Sequence, residues 1–317
     1  MDDGGPSGLG GLRYTLEKNN YGTREVDLTS AGSELLLAAC DLVIVAAPAD
    51  VFSESATARL LAAARHGKNF LISISPTLGE DNHTSKSGLE PLLELFGVRP
   101  KQQLIFERDP DLALPLGIGG EVFFAVPKPH PVTRGLIKDG GARFRVLLQL
   151  AQGFDIEGKA SPLLVTSERA FAVRDAGILA TPKAALDAVA HDADGPFVVA
   201  VAAELERSSK PGEHAARLVV IGSSAPLLGN TWQDASLAGT RRFIESAVSW
   251  GAARPTLVSL TDKPERQVDL RFTEQAMSEI VRYVLLYMPG TALALAALVL
   301  LRRRSARASA GTAEARS

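Results

Sequence analysis

Two stretches of this chain hold residues that could serve as nucleophiles: Cys40 in "LLAACDLVIVAAP", and Ser223 with Ser224 in "VVIGSSAP". In an open α/β sheet a nucleophile belongs on a sharp turn after a strand, exposed at the strand's carboxyl end. Cys40 stands at the start of an apolar run, the opposite end, and reads as a small core residue. Ser223 and Ser224 do follow a strand. The second glycine of G-x-S-x-G is missing there, however, and Pro226 stands where a helix would begin to rise. A cap or a turn is the simpler role for the pair.

The five histidines, at 66, 83, 130, 191 and 214, show neither H-x-x-x-H nor H-E-x-x-H spacing. "HDAD" (191–194) could bring an imidazole and two carboxylates to a cation, or form a solvated turn ahead of Gly195-Pro196. A single cysteine excludes an internal disulfide and every Cys-based zinc pattern. "GLGG" (8–11) follows no strand, and neither it nor "GIGG" (117–120) carries the Lys-Ser/Thr of a P-loop, so both read as flexible loops. "PKPHPVTRGL" admits two readings. His130, Thr133 and Arg134 could touch a ligand or partner; alternatively Pro131 fixes an extended entry, Thr133 caps and Gly135 permits a turn. No catalytic residue, metal or cofactor is therefore expected. The candidate contact residues are His130, Thr133, Arg134, Ser223 and Ser224.

These residues hang on a recognisable set of elements. "DLVIVAAP" (41–48) and "NFLISISP" (69–76) are apolar runs with the length and β-branching of strands buried on both faces. Between them "SESATARLLAAARHGK" (53–68) has a Ser53 cap, acid early, base late and Gly67 at its end, the signals of a helix. Strand, helix and strand imply a right-handed crossover and a parallel sheet. "GLRYTLEKNNYG" predicts a short helix built on Leu12 and Leu16 and stopped by Gly22, with "REVDL" a short strand after it. "SGLEPLLELFGV" (87–98) adds a helix. "EVFFAV" and "SPLLVTSERAFAV" supply strands, and the Pro-His-Pro elbow between them resists helix. "GPFVVAVAAEL" and "ARLVVIGSSAP" are strands around a polar turn, and "TRRFIESAVSWGA" (240–252) is a helix with one apolar face.

The expected organisation is a parallel α/β unit over 1–100, an irregular Pro/Gly-rich insertion over 101–195, and strands plus a helix completing the domain over 196–260. A charged spacer (261–282), a transmembrane helix (283–301) and a basic disordered tail (302–317) follow. Residues 283–301 carry no charge, and at about 1.5 Å per residue their helix is long enough to span a bilayer. Arg302, Arg303, Arg304 and Arg307 follow at once. By the enrichment of Lys and Arg on the cytoplasmic side, the tail is placed inside and the bulk of the chain outside. That orientation leaves nothing to start translocation of the N-terminal part, so an upstream anchor is expected in the natural polypeptide. Net charge is -2 and aromatics are 6% with no Lys/Arg interleaving, so nucleic acid is not an expected partner.

In order along the chain, "LRYTLEKNNYGTREVDL", "CDLVIVAAP", "HGKNFLISISP", "LEPLLELFGV", "HPVTRGL", "VVIGSSAPLLGN" and "FIESAVSWGA", closed by the apolar run and its arginines, resemble the GldG-like (gliding-motility-type) ABC transporter auxiliary proteins. The resemblance implies an extracytoplasmic domain of class I glutamine amidotransferase-like or flavodoxin-like fold, beside an ABC-2 type permease and its ATPase. It carries no catalysis over, since the amidotransferase cysteine has no counterpart. This chain departs from the pattern in lacking an N-terminal anchor and in having "GSSAP" where an acidic motif follows the late strand. The expected function is that of a non-catalytic accessory subunit. The alternative is a membrane-tethered hydrolase or amidotransferase of the same sheet class.

Overall fold

The alternating apolar residues of seven strands build the sheet on which everything else rests. In the computed structural model, residues 8–48, 50–78, 84–116, 118–180, 191–205 and 215–252 are described, all within one compact unit, Met1–Leu257. The strands are β1 (Leu42–Ala46), β2 (Asn69–Ser73), β3 (Val122–Pro127), β4 (Val146–Gln149), β5 (Ser161–Val165), β6 (Val198–Glu204) and β7 (Arg217–Ile221). They lie in the order β1-β2-β7-β6-β5-β3-β4. β2 is parallel to β1 and to β7, whereas β7/β6, β6/β5, β5/β3 and β3/β4 are antiparallel.

The expectation of a mostly parallel sheet is thus corrected: the sheet is mixed and mainly antiparallel. Among the described residues, only the β1–β2 connection carries a long helix, α3 (Glu54–Arg65), and parallel neighbours need such a crossover. Between residues 122 and 204 the strands follow one another with no long helix among the described residues, and they pair antiparallel. β1 is also less buried than expected, because it lies at the sheet edge and only Val45 falls in the buried class.

Helices cover both faces. On one side lie α1 (Gly10–Lys18), α6 (Ala238–Gly251) and a 3-10 turn, Pro131–Leu136; Leu12, Leu16, Val132, Phe243 and Ile244 meet Leu71, Val219 and Ile221 of the sheet. On the other, α2 (Ser33–Ala39), α3 and α4 (Glu90–Leu95) bring Leu37, Leu60 and Leu92 onto Phe70, Ile72, Leu218 and Val220. Alternate residues of β2 and β7 therefore serve opposite cores, which is why both strands read as unbroken apolar runs. Phe70, Leu71 and Ile72 are each 0% exposed, a burial that stabilises by about 1.5–3 kcal/mol per side chain. A smaller ribbon, Leu104–Phe106 with Phe171–Val173 and Ala193–Asp194, has its own core around Phe106, Phe171 and Ile178.

Several local expectations change. α1 ends at Asn19 with Asn20 left-handed at φ 61, so asparagine and not Gly22 stops it. "REVDL" forms no paired strand, and α2 has no counterpart in the sequence reading. The Pro-His-Pro elbow does enter a 3-10 turn, because Pro131 takes its first position, where no N–H is needed. No helix among the described residues is long and apolar enough to cross a membrane. The expected span 283–301, its spacer and its tail lie outside the described residues.

Candidate functional site

The carboxyl ends of β2 and β7 are where an open α/β sheet would receive a ligand. Here the chain's own segment after β4 lies across them. The Ser223 hydroxyl is 0% exposed in its residue; it donates to Gln149 O at 2.7 Å and accepts from Gln149 N–H at 3.1 Å. Ser73 Oγ donates to Ser223 O at 2.5 Å. Ser224 and Ser75 exchange hydrogen bonds, each hydroxyl accepting from the other's backbone N–H at 3.1 and 3.0 Å. Gln152 N–H donates to Gly222 O at 2.7 Å, and a Cβ on Gly222 would meet Gln152 O at 2.1 Å. The crossing is so close that only glycine fits there. Both serines are occupied as ties between strand ends, and the crevice is filled by residues 149–152.

His130, Thr133 and Arg134 lie at the other end of the sheet. β3 runs opposite to β7's direction, so the residues after it emerge at the amino end of the parallel strands. His130 itself, rather than Thr133, is the cap: its Nδ1 accepts from Val132 N–H at 3.2 Å. That bond fixes the proton of the neutral ring on Nε2. Thr133 is 0% exposed and its hydroxyl donates to the carbonyls of Lys128 and His130. Arg134 is exposed. The His130 ring meets Trp250 edge-on at 5.4 Å. Arg217 lies over the other ring of that group, 5.0 Å from the Trp250 centroid, donating to Trp250 O at 3.0 Å and to Glu204 at 2.9 Å. Burial holds the His130 pKa below its ordinary value, with the Glu204 charge acting weakly the other way. The five candidate residues thus form two groups at opposite ends, not one site.

The remaining sequence candidates are also accounted for. Cys40 caps α2, partly exposed, with its thiol donating to Leu36 O at 3.1 Å. In the "GIGG" loop the N–H groups of Ile118 and Gly119 donate to Glu121 at 2.9 and 2.8 Å. A carboxylate of the chain already occupies the place an anion would take. In "GLGG", Gly11 lies inside α1, where a Cβ would come 2.4 Å from Trp232 Cβ. It is a contact point between helices and not a flexible loop. "HDAD" is solvated, as expected, but enters a strand instead of a turn: His191 stacks on Phe171 at 4.4 Å, Asp192 accepts from Arg174 N–H at 2.7 Å, and Ala193 and Asp194 pair with the Phe171 strand. Among the described residues no His/Cys/Asp/Glu group could hold a metal. His83 and His214 lie outside the described residues.

The sequence pattern of the auxiliary family of an ABC-type uncharacterized transport system matches residues 6–249. The chain belongs to this ABC-transport auxiliary family. No curated protein matches it. Among solved structures this auxiliary protein is similar to one described as "mmIFT52 N-terminal domain", at TM-score 0.53 and 12% identity, over 78% of this chain and 91% of that one. At that identity the likeness speaks to fold alone. Sequence reasoning missed Gln149 and Gln152, the residues by which the auxiliary protein closes its own crevice. Their partners are 70 residues away or more, and no periodicity announces such a contact.

Proposed function

We propose that this auxiliary protein is a non-catalytic, membrane-anchored subunit of an ABC-2 type transport system, with its α/β domain outside the cytoplasm, where it contacts the permease or the exported substrate. Membership of the auxiliary family carries the accessory role. The filled crevice supports the absence of catalysis, because a reacting group needs a nucleophile, a base and oxyanion donors around open space, and Ser223 has both its bonds committed to Gln149. The uncharged run 283–301 and the arginines after it support a C-terminal anchor with a cytoplasmic tail.

Affinity capture of the full chain from detergent-extracted native membranes tests this reading. An ABC-2 permease and its ATPase should be recovered together with it, and their absence from the eluate overturns the proposal. Orientation is read separately, from a C-terminal alkaline phosphatase fusion and protease access in spheroplasts. The expected result is an inactive fusion with a digestible domain; an active fusion with a protected domain reverses the topology.

A further inference from the structure

On the face carrying α1 and α6, a cleft of about 430 Å³ opens between α1 and the α5–α6 region, α5 being the short helix Gly229–Gln233. Tyr14 and Lys18 stand four residues apart on α1 and so line it from one side. Trp232 lines the other, half-buried, its indole N–H donating to Leu227 O at 3.1 Å. Arg241 is held in place by donating to Thr231 O at 3.2 Å and to Asp234 O. The Trp232 and Arg241 wall is therefore held by its own hydrogen bonds, and glycine at position 11 lets α1 stand close to it. Glu245 is the one carboxylate in the lining, and Lys18, Arg241 and Arg242 all act on it. Two cations in the lining, Lys18 and Arg241, to one anion leave the cleft positive.

We propose that this cleft docks an acidic segment of a partner protein, an Asp or Glu side chain entering between Lys18 and Arg241 with an apolar neighbour laid against Tyr14 and Trp232. Resting on the accessory-subunit reading, the inference identifies that partner as the permease. Tyr, Trp and Arg are the residue types that dominate binding energy at protein interfaces, and they do so where they are held ready beforehand. Tyr14 is 68% exposed at the rim, a large ring left in water in the free protein. A small-molecule site would instead enclose most of its ligand. The positive balance selects an acidic partner over a basic one and speeds its approach.

The test is capture of the permease by the full chain in detergent, comparing wild type with Tyr14→Ala, Lys18→Glu and, on the opposite face of the sheet, Arg65→Glu. Tyr14 and Lys18 are exposed, so both variants should still melt cooperatively, with a small drop in midpoint for Lys18→Glu, which faces Glu245. Recovery of permease should fall about tenfold or more for the two cleft variants, and stay at the wild-type level for Arg65→Glu. A photo-crosslinker at position 14 should attach to a permease peptide containing Asp or Glu. Full recovery with Lys18→Glu, or crosslinking to a segment with no acidic residue, overturns the cleft assignment while leaving the accessory role standing. If the wild type recovers no permease, the accessory role and the cleft fall together.

Discussion

Ser223 and Gln149 form a closed pair, the serine hydroxyl donating to the Gln149 carbonyl at 2.7 Å and accepting from its N–H at 3.1 Å. One side chain thereby completes the backbone of β4's last residue. Ser223→Ala removes both bonds at once and should cost about 1–3 kcal/mol, seen as a lower thermal midpoint. Broad fluorophosphonate probes should leave the wild-type residue unlabelled. Selective labelling of Ser223, with stability unchanged in the alanine variant, would mean that the hydroxyl is free to react.

Gly11 sets two effects against each other. In a helix, alanine is favoured over glycine by about 1 kcal/mol. A Cβ here, however, would lie 2.4 Å from Trp232 Cβ and 2.9 Å from its Cγ. Those atoms are the fixed base of the indole, whose far end is already bonded to Leu227 O. Overpacking of this kind costs about 1–3 kcal/mol, so Gly11→Ala should destabilise and should reshape the α1/α5 cleft. A higher melting point for Gly11→Ala would show that α1 shifts freely away from α5.

What the sequence made legible is what neighbouring residues decide. Helix α3 was readable at both ends, and Ser53 does accept from Ala56 N–H at 3.3 Å. β2 was readable because three successive residues serve two cores. The direction of β3, β4 and β5 was not, since it depends on registers such as Val146 against Ala125 that no local pattern encodes. The candidate residues suffered from the same gap. His130 and Ser223 belong to one end or to two according to whether β3 runs with or against β7, and only the assembled sheet settles that. The Ser75 and Ser224 tie spans 149 residues; serine after a strand reads as a turn or cap wherever it occurs.

His130 should make stability depend on pH in a stated direction. Its Nδ1 can accept from Val132 N–H only while unprotonated, and burial lowers its affinity for a proton in the folded state. The unfolded chain therefore binds the proton more readily. Its contribution is complete above the ordinary histidine pKa of about 6.5 and is lost as pH falls below that value. His130→Asn keeps an acceptor for the cap and removes the titration. From about pH 7.5 to pH 5 the wild type should lose stability relative to the variant. A constant difference in melting point across that range would exclude the histidine as the source.

Glu245 should act with the opposite sign. The protein packed around its cleft pushes its pKa above the ordinary 4.5, although part of the side chain still meets water; Arg241, Arg242 and Lys18 pull it back. Because the net shift is upward, the folded state binds the proton more tightly than the unfolded chain. This favourable contribution is present at low pH and is lost as pH rises through the folded-state value, so at neutrality the ionised carboxylate weighs against folding. Glu245→Gln should then melt no lower than wild type near neutral pH, and the difference should shift in favour of wild type as pH drops through the folded-state value toward the ordinary one. Lys18→Gln removes one of the three opposing cations and should raise the Glu245 pKa further, which a carbon-13 carboxyl titration can read directly. A Glu245 midpoint that stays put in Lys18→Gln would show that α1 contributes no charge to the cleft, and with that the positive balance invoked for partner docking would lose one of its two cations.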